Sequence, residues 1–166
     1  MKLKLTVNNQ EIEVEISEEE YKKLLPKEEK KTGYERANTY YIVDWQGRID
    51  QNSDDHMHLD EEAYNIANYY SSQTVAENNA RADKLMRQLR RFAVEHREKE
   101  LDWNDGDQTK YFIYYRYAVN KVDIEINYEW RVAGLVYFDS RETAQLAIDT
   151  FHDELIWYFT EYKDSL

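Results

Sequence analysis

Two ten-residue stretches decide how this chain is organised, NYYSSQTVAE (68–77) and VYFDSRETAQ (136–145). In each of them, aromatic residues are followed by a serine and, four positions later, by an alanine. Aromatic residues favour strands, and a serine just before a helix accepts hydrogen bonds from the unpaired N–H groups of its first turn. Each stretch therefore predicts a strand that ends where a helix begins, with Ser72 and Ser140 as the helix caps.

The sequence around the first stretch predicts a sheet-and-helix unit over residues 37–100. YYIVDWQGRI (40–49) is typical of a strand, a turn and the start of a second strand, and YNIANYY (64–70) is typical of a further strand. An acidic loop separates these strands. From Ser72 to about Arg97, apolar residues recur at helical spacing, which indicates one long amphipathic helix.

Residues 101–166 repeat this order of elements, which indicates an internal duplication. DWNDGDQ (102–108) is a strong turn signal, in which we expect the carboxylates to bond to their own backbone and Trp103 to act as a packing anchor. A helix capped by Ser140 is expected to close the chain. The strands predicted before it are YFIYYRYAV (111–119), VDIEINYEW (122–130) and VAGLVYF (132–138).

Residues 1–26 predict a small N-terminal appendage. Apolar and polar residues alternate on both sides of Asn8–Asn9, which indicates a β-hairpin, and a short helix is expected to begin at Ser17 and end at Pro26. The stretch KEEKKTGYER (27–36) is charged and nearly free of apolar residues, which predicts a linker. The chain is therefore expected to be an α+β protein, with the hairpin and short helix preceding two tandem units of antiparallel sheet plus helix.

The composition is that of a folded, acidic protein. The chain has 166 residues, a net charge of −12 and 42% hydrophobic residues, enough for one well-buried core or two small units. It has no cysteine, and no apolar run approaches the ~20 residues that a membrane helix needs. Because the N-terminus lacks a continuous apolar stretch, it is not a secretory signal, and we expect a cytoplasmic protein without a membrane partner. The net charge disfavours general attraction to nucleic acid.

Residues 37–72 carry one positive and seven negative groups and form the first candidate site. A surface of this kind can bind a protein whose own surface is built to hold nucleic-acid phosphates. The carboxylates expected to make this contact are Asp50, Asp54, Asp55, Asp60, Glu61 and Glu62.

The stretch DQNSDDHMHLDE (50–61) also partly matches two metal-binding patterns. Four of its residues, Asp50, Asn52, Asp54 and Glu61, occupy ligand positions of a calcium loop, but Asp55 stands where that loop needs glycine. Two histidines would point the same way on a strand, but no third ligand lies at a recognisable spacing. We predict no metal and no cofactor. The alternatives left open are a calcium site of Asp50, Asp54 and Glu61 and a transition-metal site of His56 and His58.

Fifteen tyrosines provide a second candidate surface, because most of them lie on predicted strands. Alternation along a strand sends half of its side chains outward, and tyrosine offers a large contact area at a small cost in entropy. The tyrosines expected to contact a partner are Tyr69, Tyr115 and Tyr117.

Positive charge is concentrated in RADKLMRQLRRF (81–92), between two acidic parts of the chain. We expect this helix mainly to neutralise acidic neighbours within its own fold. The alternative is that its basic side chains grip the phosphates of a nucleic acid, or of a small nucleotide. Those side chains are Arg81, Lys84, Arg87, Arg90 and Arg91, with Arg97 further along.

Several pieces of the chain, taken in order, resemble a family of uncharacterised phage and prophage proteins that is widespread in Gram-positive bacteria. The most specific pieces are ADKLMRQLRRF (82–92) and DWNDGDQTKYFI (102–113), and the likeness covers nearly the whole chain. That family has no settled activity. The resemblance therefore implies a mobile-element origin and a bacterial host cytoplasm, and it transfers no catalytic residue.

The sequence contains no recognisable Ser–His–Asp or Cys–His set and no glycine-rich phosphate loop, so we expect a non-catalytic protein. Small acidic phage proteins can block host machinery by presenting carboxylates where a target expects phosphates. The expected function is an anti-CRISPR-type inhibitor, monomeric or homodimeric, that binds a nucleic-acid-processing defence enzyme of the host such as an RNA-guided nuclease. The alternative is a nucleic-acid-binding phage regulatory protein that uses the helix at 81–97.

Overall fold

The computed structural model describes residues 2–7, 10–15, 17 and 32–164. The chain divides into two compact units, Met1–Lys31 and Thr32–Leu166. In the first unit, strands β1 (Lys2–Val7) and β2 (Gln10–Glu15) pair antiparallel, which confirms the predicted hairpin. The predicted turn at 8–9 lies outside the described residues, as does the helix predicted after Ser17.

The second unit begins inside the stretch predicted to be a linker (27–36). The backbone oxygen of Gly33 accepts a hydrogen bond of 2.7 Å from the N–H of Ser71, and the Ser71 hydroxyl donates one of 2.7 Å to Glu35. Residues 32–36 are therefore part of the folded second unit, which corrects the predicted linker at its C-terminal end.

The first sheet of this unit contains β3 (Thr39–Val43) and β4 (Ile49–Ser53), which pair antiparallel as predicted. On the other side of β3, Tyr70 forms an isolated bridge to Tyr41, with N···O distances of 2.8 and 3.0 Å. The strand predicted over 64–70 is wrong, because Tyr70 is the only one of these described residues that pairs with a strand.

A short helix, α1 (His58–Asn65), occupies the segment between β4 and Tyr70. Its first turn is held by Asp60, whose carboxylate accepts hydrogen bonds from the N–H groups of Met57 (2.9 Å) and Asp55 (3.1 Å). Beyond the helix, Ala67 has a φ of 57°, and this left-handed conformation turns the chain back towards β3.

The second sheet has the order β6-β5-β7, with β5 (Lys110–Arg116) in the centre, β6 (Lys121–Asn127) and the short β7 (Tyr137–Phe138). All pairings are antiparallel, as predicted, but the strands are shorter than the sequence suggested. Residues Tyr117–Val119 form one turn of 3-10 helix, and only the last two residues of the predicted strand 132–138 pair.

The helices begin where the sequence predicted. The Ser72 hydroxyl accepts the N–H of Val75 at the start of α2 (Gln73–Glu95), and the Ser140 hydroxyl accepts the N–H of Thr143 at the start of α3 (Arg141–Thr150). The closing segment was predicted as one helix. It is instead two, α3 and α4 (His152–Thr160), which meet at Phe151.

The two repeats share one topology. In each, the first strand is central and pairs with the following strand on one side and with the aromatic end of the quoted stretch, Tyr70 or Phe138, on the other. Ala76 and Ala144 have no exposed surface, so each capped helix lies close to its own sheet. The predicted duplication is therefore present in the backbone as well as in the sequence.

The two repeats predicted over 37–100 and 101–166 are joined by α2 and belong to one compact unit. The start of α2 packs Val75 and Ala76 with Tyr70 in the core of the first sheet. The later turns of the same helix pack Leu85, Leu89 and Phe92 into the core of the second sheet.

Candidate partner-binding surface

Two of the six predicted acidic contact residues are buried and hold the fold together. The Asp54 side chain is 3% exposed, forms an ion pair with Arg36 (3.3 Å) and accepts a hydrogen bond of 2.9 Å from the Tyr69 hydroxyl. Asp60 accepts a hydrogen bond of 2.7 Å from Tyr40, in addition to the two that start α1. Neither carboxylate is available to a partner, which corrects the prediction for both.

The pKa values of these two carboxyl groups are lowered, so both are ionised at neutral pH. Burial opposes the ionisation of Asp54, but the His56 N–H, the Tyr69 hydroxyl and the charge of Arg36 outweigh it. For Asp60, the Tyr40 hydroxyl is the largest cause of the lowered pKa. Both negative charges are thus held by hydrogen bonds inside the protein, and that of Asp54 is also paired with Arg36.

The predicted tyrosines are divided between the interior and the surface. Tyr69 is 2% exposed and stacks on Tyr40 with the ring centroids 4.2 Å apart. It therefore cannot contact a partner, and the prediction that it does is corrected. Tyr115 is half-buried and packs against Phe159. Tyr117 is exposed, and its hydroxyl donates a 2.8 Å hydrogen bond to the backbone oxygen of Phe159.

The other four predicted carboxylates, those of Asp50, Asp55, Glu61 and Glu62, lie on the surface. Glu61 reaches Arg36 at 2.7 Å, and Glu62 lies 3.6 Å from a ring nitrogen of His58. Pairs at this level of exposure contribute little to stability. Asp55, Glu61 and Glu62 therefore give α1 and the residues just before it a negative charge that a partner can reach, while Asp50 lies on β4.

Large apolar side chains are exposed in the same part of the chain, and the sequence reasoning did not identify them. Trp45, in the turn between β3 and β4, is 89% exposed, while Leu59 and Ile66 are 73% and 72% exposed. Leu59 and Ile66 are seven residues apart and so lie on one side of α1. We use the name α1 surface for these exposed apolar residues and the neighbouring carboxylates: Trp45, Met57, Leu59, Tyr64, Ile66, Asp55, Glu61 and Glu62.

Local hydrogen bonds hold this surface in place. The Asn68 side chain bonds to both the N–H and the C=O of Val43 at 2.9 Å, which brings the C-terminal end of α1 next to the β3–β4 hairpin. In the hairpin turn, Asp44 accepts the N–H groups of Gln46 and Arg48, both at 2.8 Å. The backbone that carries Trp45 is thus fixed although its side chain is open to solvent.

The basic residues predicted on α2 are all exposed, but they do not act as one group. Arg81 forms a two-bond contact with Glu154 (2.8 and 3.1 Å) and lies 3.9 Å from the ring centroid of Trp157, so it packs α2 against α4. Arg91 is paired with Glu95 at 3.7 Å on its own helix. Within the described residues, Lys84, Arg87 and Arg90 form no ion pair.

The candidate metal ligands do not come together. In the described part of the chain, no group of three or more His, Cys, Asp or Glu residues is placed to hold a metal ion. Asp54 and Glu61, which match calcium-loop positions, share Arg36 instead. The predicted turn at 102–108 uses its carboxylates on its own backbone, as expected, since Asp102 and Asp105 accept the N–H groups of Asn104 and Asp107.

None of the described helices combines the length and the apolar character needed to cross a bilayer. Comparison with protein-family models, with curated proteins and with solved structures finds no match to this chain.

Proposed function

We propose that this protein is a non-catalytic inhibitor that binds a host protein through the α1 surface. The observation that supports this most directly is the exposure of Trp45, Leu59 and Ile66 in a segment whose backbone is fixed by hydrogen bonds. Contiguous apolar patches on a folded surface mark contact sites for other macromolecules, and the Asn68–Val43 bonds bring the end of α1 next to the hairpin that carries Trp45.

The apolar residues supply the affinity. Burying a side chain such as Leu59 or Ile66 releases about 1.5–3 kcal/mol, and tryptophan is the residue type that most often dominates a protein interface. Trp45 projects from a tight turn, where Asp44 and Gly47, with a φ of 82°, define the backbone. It can therefore enter a pocket on a partner without a change in the fold.

The charge selects the partner. Asp55, Glu61 and Glu62 lie in the same segment as the apolar residues, so the surface fits an apolar patch with a basic rim. Nucleic-acid-processing enzymes carry basic surfaces for phosphates. We infer a host defence nuclease of the RNA-guided type as the partner, blocked in the manner of an anti-CRISPR protein where it would hold nucleic acid. Because the carboxylates of Asp54 and Asp60 are buried and bonded internally, phosphate mimicry would fall to Asp50, Asp55, Glu61 and Glu62.

The proposal can be tested by capture of a partner from lysate of a Gram-positive host, with and without nuclease treatment. Wild-type protein is compared with Trp45→Ala/Leu59→Ala and with the control Leu146→Ala, which removes a half-exposed apolar side chain from α3. We expect wild-type protein and Leu146→Ala to capture one protein partner, with or without nuclease treatment. The double variant should not capture it. The purified partner should then lose nucleic-acid cleavage when wild-type protein is added.

Two outcomes would contradict the proposal. The first is a partner held equally by wild type and by the double variant, which would place the contact elsewhere. The second is loss of every partner after nuclease treatment, which would mean that nucleic acid had bridged the contact.

A second candidate function is nucleic-acid binding along α2, favoured by the exposed cations of Lys84, Arg87 and Arg90 that lack an ion pair within the described residues. Binding through such contacts weakens steeply with salt. A fluorescent oligonucleotide titrated at about 50 and 200 mM salt would show this dependence, and Lys84→Ala/Arg87→Ala should reduce the slope. If the oligonucleotide does not bind even at about 50 mM salt, this function is excluded.

A further inference from the structure

The second repeat contains a basic cavity that takes no part in the α1 surface. It lies between the C-terminal half of α2 and the segment 131–139. We propose that this cavity binds a small phosphorylated ring compound, of which a mononucleotide is the simplest example.

Three arginines converge on the cavity although the protein has a net charge of −12. Its volume is about 190 Å³, and the lining residues that matter for the argument are Arg90, Val94, Arg97, Trp103, Arg131 and Leu135. A neighbouring cavity of about 400 Å³ shares Arg90, Arg131 and Leu135 with it. The first volume alone is below the ~300–1,000 Å³ that is typical of small-ligand sites, so a mononucleotide is expected to extend from it into the neighbouring cavity.

Two of the arginines are free to bind an anion. Within the described residues, neither Arg90 nor Arg131 forms an ion pair or a side-chain hydrogen bond. Arg97, by contrast, is paired with Glu100 at 2.6 Å. The free guanidinium groups of Arg90 and Arg131 can each give two parallel N–H bonds to phosphate oxygens, which is the strongest geometry for this recognition.

A further cation lies next to Trp103, although it does not line the cavity itself. Lys110 is fully buried, and its amino group donates to the backbone oxygens of Asp105 (2.9 Å), Gln108 (2.9 Å) and Tyr128 (3.2 Å). The same nitrogen lies 5.3 Å from the ring centroid of Trp103. An ammonium group with only neutral acceptors around it adds to the attraction that an anion experiences at this wall.

The remaining lining fits an organic body attached to the phosphate. Trp103 provides a large aromatic wall, with the Arg131 guanidinium 5.7 Å from its ring centroid, and Val94 and Leu135 add apolar surface. Aromatic and aliphatic walls with a few charged groups are typical of sites for ring compounds. A bare inorganic anion would leave these walls unused.

The one carboxylate among the described lining residues is tied to the backbone. Asp139 accepts the N–H groups of Glu98 (2.7 Å) and Lys99 (3.0 Å) through a single oxygen, which fixes the chain just after Arg97. The cavity therefore keeps its shape where α2 ends.

The test is isothermal titration calorimetry of the full chain with the four 5′-mononucleotides, adenosine, inorganic phosphate and sulfate. We expect at least one mononucleotide to bind more tightly than adenosine or either inorganic anion. Arg90→Ala and Arg131→Ala should each weaken that binding about tenfold or more, since each removes a charge-assisted contact. Both residues are exposed, so the fold should be unchanged by circular dichroism.

The matched control is Arg141→Ala, which removes an exposed arginine of α3 that does not line the cavity. Its affinity for the nucleotide should equal that of wild type. Trp103→Phe should in addition remove the change in tryptophan fluorescence that accompanies binding.

The proposal is overturned if no mononucleotide binds, or if phosphate or sulfate binds as tightly as the nucleotides. Equal weakening by Arg141→Ala and Arg90→Ala would also overturn it, since that result would reflect general charge and not this cavity. Trp45→Ala/Leu59→Ala serves as a separate reference, because the α1 surface shares no residue with the cavity.

Discussion

The hydroxyl of Tyr40 donates a 2.7 Å hydrogen bond to Asp60, and this contact joins β3 to the first turn of α1. Both side chains are buried, and burial together with Asp60 raises the pKa of Tyr40 to about 12, so the hydroxyl remains a donor at neutral pH. An acidic residue that the sequence assigned to a binding surface is therefore a fixed part of the structure that presents that surface.

Tyr40→Phe should lower the free energy of unfolding by about 1–3 kcal/mol, because it leaves a buried, ionised acceptor without one of its donors. Urea denaturation of the two proteins measures the difference. Tyr128→Phe is the control, since the Tyr128 hydroxyl makes no hydrogen bond within the described residues and should change little. Equal stability of Tyr40→Phe and wild type would contradict the role given to this contact.

Glu35 should make the stability of the protein sensitive to acid. The Ser71 hydroxyl, followed by the Thr32 N–H, lowers the pKa of Glu35 from 4.5 to about 2. A lowered pKa stabilises the folded state fully above about pH 4.5, and the stabilisation disappears as the pH falls towards 2.

Glu35→Gln should therefore be less stable than wild type at neutral pH, and the gap should close between pH 4.5 and 2. Urea denaturation at a series of pH values measures the gap. Glu98→Gln is the control, because the Glu98 carboxylate makes no contact within the described residues. A gap that is the same at pH 2.5 and pH 7 would show that the charge of Glu35 is not the cause.

The repeat could be predicted from sequence because its signals are local. Serine caps and strand-ending aromatic residues act within a few positions, so Ser72 and Ser140 cap their helices as predicted. These residues also fix where each helix meets its sheet.

The candidate site was harder to predict, because α1 lacks the usual signals. Its N-cap is Met57, which is not a residue type that commonly caps helices. Its apolar residues Leu59 and Ile66 face solvent, so the segment lacks the core-facing apolar stripe by which a helix is recognised in a sequence. Tyr64, Tyr69 and Tyr70 suggested a strand through their composition alone. The burial of Asp54 and Asp60 depends on Arg36 and Tyr40, which are distant in sequence and could not be paired without the fold.

Gly33 and Gly47 provide a direct comparison of backbone strain and packing. Both have a positive φ, 92° and 82°, but a Cβ at Gly33 would lie 2.6 Å from a Val75 methyl group, whereas one at Gly47 would meet no described atom within 4 Å. Gly47→Ala should cost about 1–2 kcal/mol from backbone strain, and Gly33→Ala about 1–3 kcal/mol more from the collision.

Thermal and urea unfolding of the two alanine variants measure this difference. Equal destabilisation would mean that the segment around Gly33 moves away from Val75 at no cost. That result would contradict the close packing of Gly33 against Val75.

The most direct test of the central proposal is the affinity of the captured partner for Trp45→Ala, measured by calorimetry beside wild type and Leu146→Ala. We predict a loss of about thirtyfold or more for Trp45→Ala, as expected for a tryptophan at the centre of an interface, and an unchanged affinity for Leu146→Ala. Equal affinities for all three proteins would show that the α1 surface is not where this protein binds its partner.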